Sequence, residues 1–186
     1  MSLYQDVIIA GFGGQGVMLI GNLFAYAGMN AGLNATYIPV YGPEMRGGTA
    51  NCTVVISDED IGSPIIKTPQ TLILMNQPSA DKFLPRMEKN GFAVLNTSLV
   101  NMPQDSGGAK LLGVAANEIA DGLGNVKMAN MVALGAYVQA SGVFPLSAVA
   151  ESLKDVISAH YSKLIPKNIE ALEAGAAAAR DAGFKL

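Results

Sequence analysis

The sequence predicts an α/β fold: three layers, with a mostly parallel or mixed sheet, helices on both faces of it, and a helical C-terminal third. Three observations predict it. The chain opens on a β-branched run that ends in a glycine-rich turn and passes directly into a long apolar helical stretch. Short aliphatic runs then alternate with helix-spaced segments, the pattern of strands joined by crossover helices. After residue 114 the pattern is helical throughout.

Residues 6–10 (DVIIA) form the first strand, stopped by Gly11, and residues 16–29 follow as a helix packed on both flanks. A second strand is expected over 35–40 and a third over 49–56, where Cys52, Val54 and Ile56 alternate with Asn51 and Thr53 and mark a strand covered on one face. The eight residues between them, 41–48, are fewer than the dozen or so that a parallel crossover needs. These strands are therefore antiparallel or stand in different positions of a mixed sheet.

Residues 72–75 read as a buried strand, Ser79 as the N-cap of a helix reaching residue 87, and Asn90 with Gly91 as its stop before a strand over 92–95. Residues 111–114 make the last strand, and helices are expected over 127–140, 146–159 and 168–182. In the middle one, Leu146, Val149, Leu153, Val156 and Ile157 recur at helical spacing, so it is expected to cover a sheet face. Gly175 and the alanines of the last helix permit close approach by another helix, although helix propensity explains the alanines equally well. No repeat, linker or low-complexity tract divides the chain, and residues 1–186 read as one domain.

Half of the residues are hydrophobic and 15% are charged, an apolar balance that points to surface covered by partners. No basic stretch precedes an apolar run, and the longest uncharged stretch, 16–32, contains Asn22 and several glycines. Neither a signal peptide nor a membrane span is expected, and the protein is placed in the cytoplasm. A single cysteine, Cys52, excludes an internal disulfide and cannot supply the thiolates of an iron–sulfur cluster. The net charge of −3, with scattered lysines and arginines, argues against nucleic acid as a partner. Cys52 and His160 take structural roles, and the nine methionines fill the core. With one histidine, no G-x-S-x-G elbow, no Walker lysine and no metal-spaced ligands, the chain is expected to hold no metal and to lack independent catalysis.

Three segments carry chemistry. Residues 11–16 (GFGGQG) have G-x-G-x-x-G spacing after a strand and before a helix, where a backbone can approach a phosphate. Gly13 and Gly16 serve either that contact or only a tight turn, and Gln15 adds an amide that both donates and accepts. The acid that a dinucleotide ribose requires after the second strand is missing, because Ile38, Pro39, Val40 and Tyr41 stand there. Residues 41–48 (YGPEMRGG) form a proline-fixed turn in which Arg46 either grips a carboxylate or phosphate or pairs with Glu44. Asn76 and Ser79 follow the strand over 72–75; if that strand is parallel to the first, both loops open on one sheet edge.

The segments GFGGQGV (11–17), YGPEMRGG (41–48), SDEDIGSPII (57–66) and MNQPSADKF (75–83), in this order and spacing, resemble the gamma subunit of 2-oxoacid:ferredoxin oxidoreductases. The resemblance covers most of the chain. It implies an enzyme that oxidatively decarboxylates a 2-oxoacid on thiamine diphosphate, passes electrons through iron–sulfur clusters to ferredoxin, and transfers the acyl group to coenzyme A. The thiamine diphosphate and the clusters would sit on alpha and beta subunits, with or without a delta subunit, and this chain would bind no cofactor alone. Carried over by position, Gly13, Gln15, Gly16, Glu44, Arg46, Asn76 and Ser79 would face the coenzyme A side of the site. The run YIPVYGPEMRGG (37–48) resembles the 2-oxoglutarate type more than the pyruvate type, with a branched-chain 2-oxoacid next. A stand-alone nucleotide-binding oxidoreductase and a purely structural adaptor are the competing readings.

Overall fold

The computed structural model describes residues 2–40 and 49–184. Six strands form one mixed sheet: β1 (Tyr4–Phe12), β2 (Asn34–Val40), β3 (Thr49–Ser57), β4 (Thr71–Leu74), β5 (Phe92–Asn96) and β6 (Lys110–Val114). Their spatial order is β2-β3-β1-β4-β5-β6. β1, β4, β5 and β6 run parallel, whereas β3 lies antiparallel between β1 and β2. β2 and β3 are therefore antiparallel neighbours, one of the two arrangements that the short 41–48 connection allows. The central strands β4 and β5 are buried along their whole length, which is why they read as unbroken apolar runs instead of alternating ones.

Period-two alternation divides the core. Val7 and Ile9 face one side of the sheet with Cys52, Val54 and Ile56, while Ile8 and Ala10 face the other with Leu72 and Leu74. The first side is covered by α1 (Val17–Asn30) and α4 (Ala129–Ser141), and the second by α2 (Gln77–Phe83) and the 3-10 turn Leu84–Arg86. β3 is not the half-covered strand expected from its alternation, because Val55, on the face opposite Cys52, is also fully buried. Cys52 itself is buried, its Sγ donating to the Val17 carbonyl at 3.5 Å, and burial pushes the thiol up to about 12. It is a packing residue, as expected.

Several helices differ from expectation. The cap of α2 is Asn76, whose side chain accepts from the Ser79 N–H at 2.9 Å. Ser79 is three residues further in and supplies the amide that is capped, and α2 ends at Phe83 instead of reaching 87. A short helix, α3 (Ala116–Gly122), follows β6 ahead of the first of the three helices placed in the C-terminal third; no side chain caps it, and Ala116, Ile119 and Ala120 turn one face to the core. The amphipathic α5 (Leu146–Val156) packs on α1 and α6 (Ile165–Asp181), not chiefly on the sheet. Its apolar stripe, correctly placed in the sequence, is covered by helices in an outer layer.

α4 is buried on nearly every side, which fits a helix held between the sheet and α6. Its Tyr137 anchors it to the strands. The phenol oxygen accepts from Gln5 Nε2 at 2.5 Å and lies 2.7 Å from Thr71 Oγ1. Thr71 spends its one proton on the Asp6 carbonyl, so Tyr137 must be the donor to Thr71. The ring stacks on Phe92 and meets Phe24 edge-on, with centroids 5.9 and 5.4 Å away.

Asp6 is a buried carboxylate at the opposite end of the sheet from the glycine turn, accepting from the Gln70 N–H at 2.8 Å. Burial, helped by nearby Glu88 and opposed by the amides of Gln70 and Thr71, pushes its pKa up to about 6. A raised carboxyl pKa means that the native state keeps a proton the unfolded chain has lost. Stability therefore falls as pH rises from about 4 to about 6, and is flat above. Asp6→Asn keeps an oxygen for Gln70 and should remove this slope, gaining on the order of 1–2 kcal/mol at pH 7.5 and nothing near pH 4. Urea midpoints across that range test it; equal slopes in the two proteins would refute the assignment.

Candidate functional site

The four parallel strands end together at one edge, and the loops that follow them build the candidate site. β1 is the point where connections diverge: its crossover through α1 leads to β2 on one side, whereas that of β4 through α2 leads to β5 on the other. A crevice at such a switch point is where open α/β sheets bind ligands.

The loop between β1 and α1 crosses this crevice. Gly14 and Gly16 have φ of 94° and 73°, left-handed values that a residue with a Cβ adopts only under strain, so the turn requires glycine there. Gly16 is also the N-cap of α1, and no side chain caps the helix. Gly13 and Gly14 are exposed, and a Cβ on Gly13 would meet nothing within 4 Å. Phe12, 41% exposed, stands beside them at the end of β1.

Gln15 does not point into solvent. Its Oε1 accepts from the Phe12 N–H at 2.6 Å and from Asn76 Nδ2 at 3.2 Å, while its Nε2 donates to the Met75 carbonyl at 3.1 Å. It ties the end of β1 to the end of β4. Asn76 completes the tie by capping α2. Ser79 is fully buried, and its hydroxyl has no hydrogen-bond partner among the described residues.

The network continues through residues that sequence reasoning missed. Asn96, fully buried at the end of β5, donates to the Met75 carbonyl at 3.3 Å and to Asn117 Oδ1 at 2.8 Å, and accepts from the Ala116 N–H at 3.1 Å. Ser98 Oγ accepts from the Asn117 N–H. On the opposite flank Asn130 of α4 donates to the Gly16 carbonyl at 3.3 Å and so fixes the start of α1. The available signal was a polar residue at the end of a buried aliphatic strand, a place where an unpaired amide would be costly. Neutral amides thus tie the edge together from β1 to β6, and among the described residues the glycine turn stands exposed on it.

Glu44 and Arg46 lie outside the described residues. The residues flanking their segment are at this same edge, with Phe12 paired to Thr49 and Val40 to Asn51. The structure thus brings Gly13, Gln15, Gly16 and Asn76 together on adjacent loops, with Ser79 in the first turn of α2. His160 is exposed in the 3-10 turn Ala159–Leu164, edge-on to Tyr161 at 4.8 Å. Among the described residues, no group of three or more histidine, cysteine or acidic side chains could hold a metal ion, and no helix is long and apolar enough to cross a membrane.

Known proteins share both sequence and fold with this chain. It is 41% identical over 179 residues to the ketoisovalerate oxidoreductase subunit VorA of Methanothermobacter thermautotrophicus, matching 94% of this chain and 36% of VorA. The chain therefore spans about a third of that relative. The keto/oxoacid ferredoxin oxidoreductase gamma subunit from Geobacter sulfurreducens superposes with a TM-score of 0.80 at 27% identity, covering 95% of this chain and 99% of that one. The 2-oxoglutarate:ferredoxin oxidoreductase from Magnetococcus marinus, described with 2-oxoglutarate, coenzyme A and succinyl-CoA bound, shares the fold with a TM-score of 0.84 at 22% identity, over 96% of this chain and 31% of that one. The family model for pyruvate ferredoxin/flavodoxin oxidoreductase matches residues 6–178, nearly the whole chain, and the protein belongs to that family.

Proposed function

We propose that residues 1–186 form a gamma-type domain of a cytoplasmic 2-oxoacid:ferredoxin oxidoreductase, inactive alone, which shapes the assembly and the coenzyme A side of its active site. The observation that carries this reading is the family match over residues 6–178. Thiamine diphosphate and iron–sulfur clusters belong on alpha and beta chains, with or without a delta chain, and ferredoxin takes the electrons. The single cysteine of this chain fits that division, since a cluster needs several thiolates.

Coenzyme A contact rests on the glycine turn. Its exposed backbone lies at the uncapped start of α1, where the N–H groups and the helix dipole favour a phosphate. In this reading Gly13 and Gly16 form the contact surface, Gln15, Asn76 and Ser79 hold its shape, and Glu44 and Arg46 come from the loop that enters and leaves beside it. The likeness to VorA favours a branched-chain 2-oxoacid over 2-oxoglutarate as the substrate.

The experiment is to purify the tagged chain anaerobically from its own cell, identify the chains that accompany it, and assay dye reduction with ketoisovalerate or 2-oxoglutarate plus coenzyme A. Thiamine- and cluster-binding companions with activity are expected. A lone chain carrying a nucleotide would overturn the reading. In the assembled enzyme Arg46→Ala should raise KM for coenzyme A about tenfold with the companions still bound, as loss of one charged contact to phosphate predicts. An unchanged KM would remove Arg46 from the site.

A further inference from the structure

Residues 57–66, one of the four segments that carry the family resemblance, take no part in the glycine-turn edge. They lead into the connection from β3 to β4, residues 58–70, which runs without helix or strand along the opposite edge of the sheet. A structureless loop of that length usually serves a contact or a site. Hydrogen bonds fix its course. The Asp58 N–H donates to the Leu3 carbonyl at 3.1 Å, and its Oδ1 accepts from the Leu3 N–H at 2.9 Å. The Glu59 carbonyl accepts from Asn34 Nδ2 at 3.0 Å, so the loop starts beside the ends of β1, β3 and β2. It finishes beside β4, where the Lys67 carbonyl accepts from the Arg86 guanidinium at 3.2 Å and the Pro69 carbonyl from the Glu88 N–H at 3.0 Å. With strands about 4.8 Å apart, the intervals from β2 to β4 separate the two ends by roughly 14 Å.

Charge and hydropathy divide the loop in the same direction. Asp58, Glu59 and Asp60 are exposed at its start, and Lys67 and Arg86 are exposed at its finish, where Glu88 and Lys89 offset each other. Among the described residues no ion pair joins the acidic end to the basic end. Between the two ends, Ile61, Ile65 and Ile66 belong to neither cluster of the core, and Ile65 is 70% exposed. Tyr4, 44% exposed, adds apolar surface at the adjoining start of β1. Such a group of apolar side chains rimmed by charge marks a contact surface.

The order acidic, apolar, basic is its own complement when reversed. A two-fold axis through Ile65 sets the acidic end of one copy on the basic end of the other, and the reverse, with the isoleucines meeting at the centre. A different partner would have to carry the matching order independently, whereas a second copy carries it by symmetry. We propose that this edge is an isologous contact with a second copy of the chain, with Ile65 at its centre and Glu59 opposite Lys67 on either side. The contact lies at the end of the strands away from the glycine turn, so it leaves that edge open, and it stands whether or not the coenzyme A reading holds.

Sedimentation velocity of the full chain at micromolar concentrations, with a thermal midpoint for each variant, tests it. The parent should sediment as a dimer. Glu59→Lys and Lys67→Glu should each weaken dimerisation about tenfold, since each sets like charges together at two symmetric contacts. Neither side chain makes a hydrogen bond or ion pair among the described residues, so the fold should tolerate both exchanges. An equimolar mixture of the two variants, and a chain carrying both exchanges, should dimerise as the parent does, because every contact again joins opposite charges. Ile65→Asp should leave a monomer. A monomeric parent overturns the proposal, and so does a dimer that none of the single exchanges weakens. Single reversals that weaken the dimer without rescue in the mixture mean a contact between unlike surfaces, which also overturns it. If the reversals instead lose companion chains from the enzyme purified from its cell, and the double exchange does not regain them, a companion covers this edge and the second copy is overturned.

Discussion

Gly175→Ala should destabilise the protein by roughly 3–5 kcal/mol, although the same exchange in an open helix stabilises by up to about 1 kcal/mol. The reversal of sign comes from the crossing of α4 and α6. A Cβ on Gly175 would land on the carbonyl oxygen of Val132, and a Cβ on Gly135 would land on that of Leu172. Each glycine sits against the backbone of the facing helix. The atom in the way is main chain, so no rotamer change relieves the overlap, and the helices must separate along their most extensive contact. Separation strips dispersion from a helix that is buried on nearly all sides. A loss of this size is a large share of the 5–15 kcal/mol that holds a typical domain together.

Gly122→Ala supplies the control. Gly122 ends α3, and a Cβ there meets nothing within 4 Å, so urea denaturation should show a neutral or stabilising change. The double variant Gly135→Ala with Gly175→Ala should lose less than the sum of its parts, because one separation relieves both overlaps. Strict additivity would mean that the two glycines do not share a crossing.

The sequence made the strands legible because their signal is local. A period-two or unbroken aliphatic run bounded by glycine or proline needs no knowledge of the partner strand, and all six strands lie where such runs lie. Loop length alone excluded a parallel β2–β3 pair but left open an antiparallel pair or different positions in a mixed sheet, and the fold takes the antiparallel pair. What covers each element was less legible. The stripe on α5 showed that one face is buried but not that α1 and α6 bury it, since a nonpolar face fits helix or sheet equally. Likewise Gly175 permitted a close approach without requiring one, and only the fold reveals that a helix does approach and that it is α4 of the same chain.

At the candidate site the glycine turn was legible through its spacing, while the contacts of its neighbours were not. Gln15 and Asn76 were expected to face a ligand, and each spends its polar atoms on the protein. Asn96, Asn117 and Asn130 went unremarked because they occur singly in three different elements and converge only through tertiary structure. Their convergence makes the edge rigid. The exposed glycines can then hold one shape without side chains of their own, which a backbone contact to phosphate demands.

Asn96 gives the sharpest test of that rigidity. Asn96→Ala removes three hydrogen bonds at once, but the three losses are unequal. The Met75 carbonyl keeps its bond from Gln15, and half-buried Asn117 can turn to water. The Ala116 N–H, on a residue with no exposed surface, has no such recourse and stays unpaired. One orphaned buried donor plus the cavity left by the amide should cost about 3 kcal/mol. Asn96→Asp should cost at least as much at neutral pH for a different reason. Its carboxylate can still accept from Ala116, yet it sets negative charge against the Met75 and Asn117 oxygens that Asn96 now serves as a donor. Protonation restores one O–H donor, so the Asp variant should regain stability relative to the Ala variant as pH falls from 8 to about 5, a reversal the Ala variant cannot show. Urea midpoints of the two variants over that range decide the matter: parallel profiles would mean that the Asn96 amide is not a donor in the fold, and that the edge is held by packing instead of by the amide network.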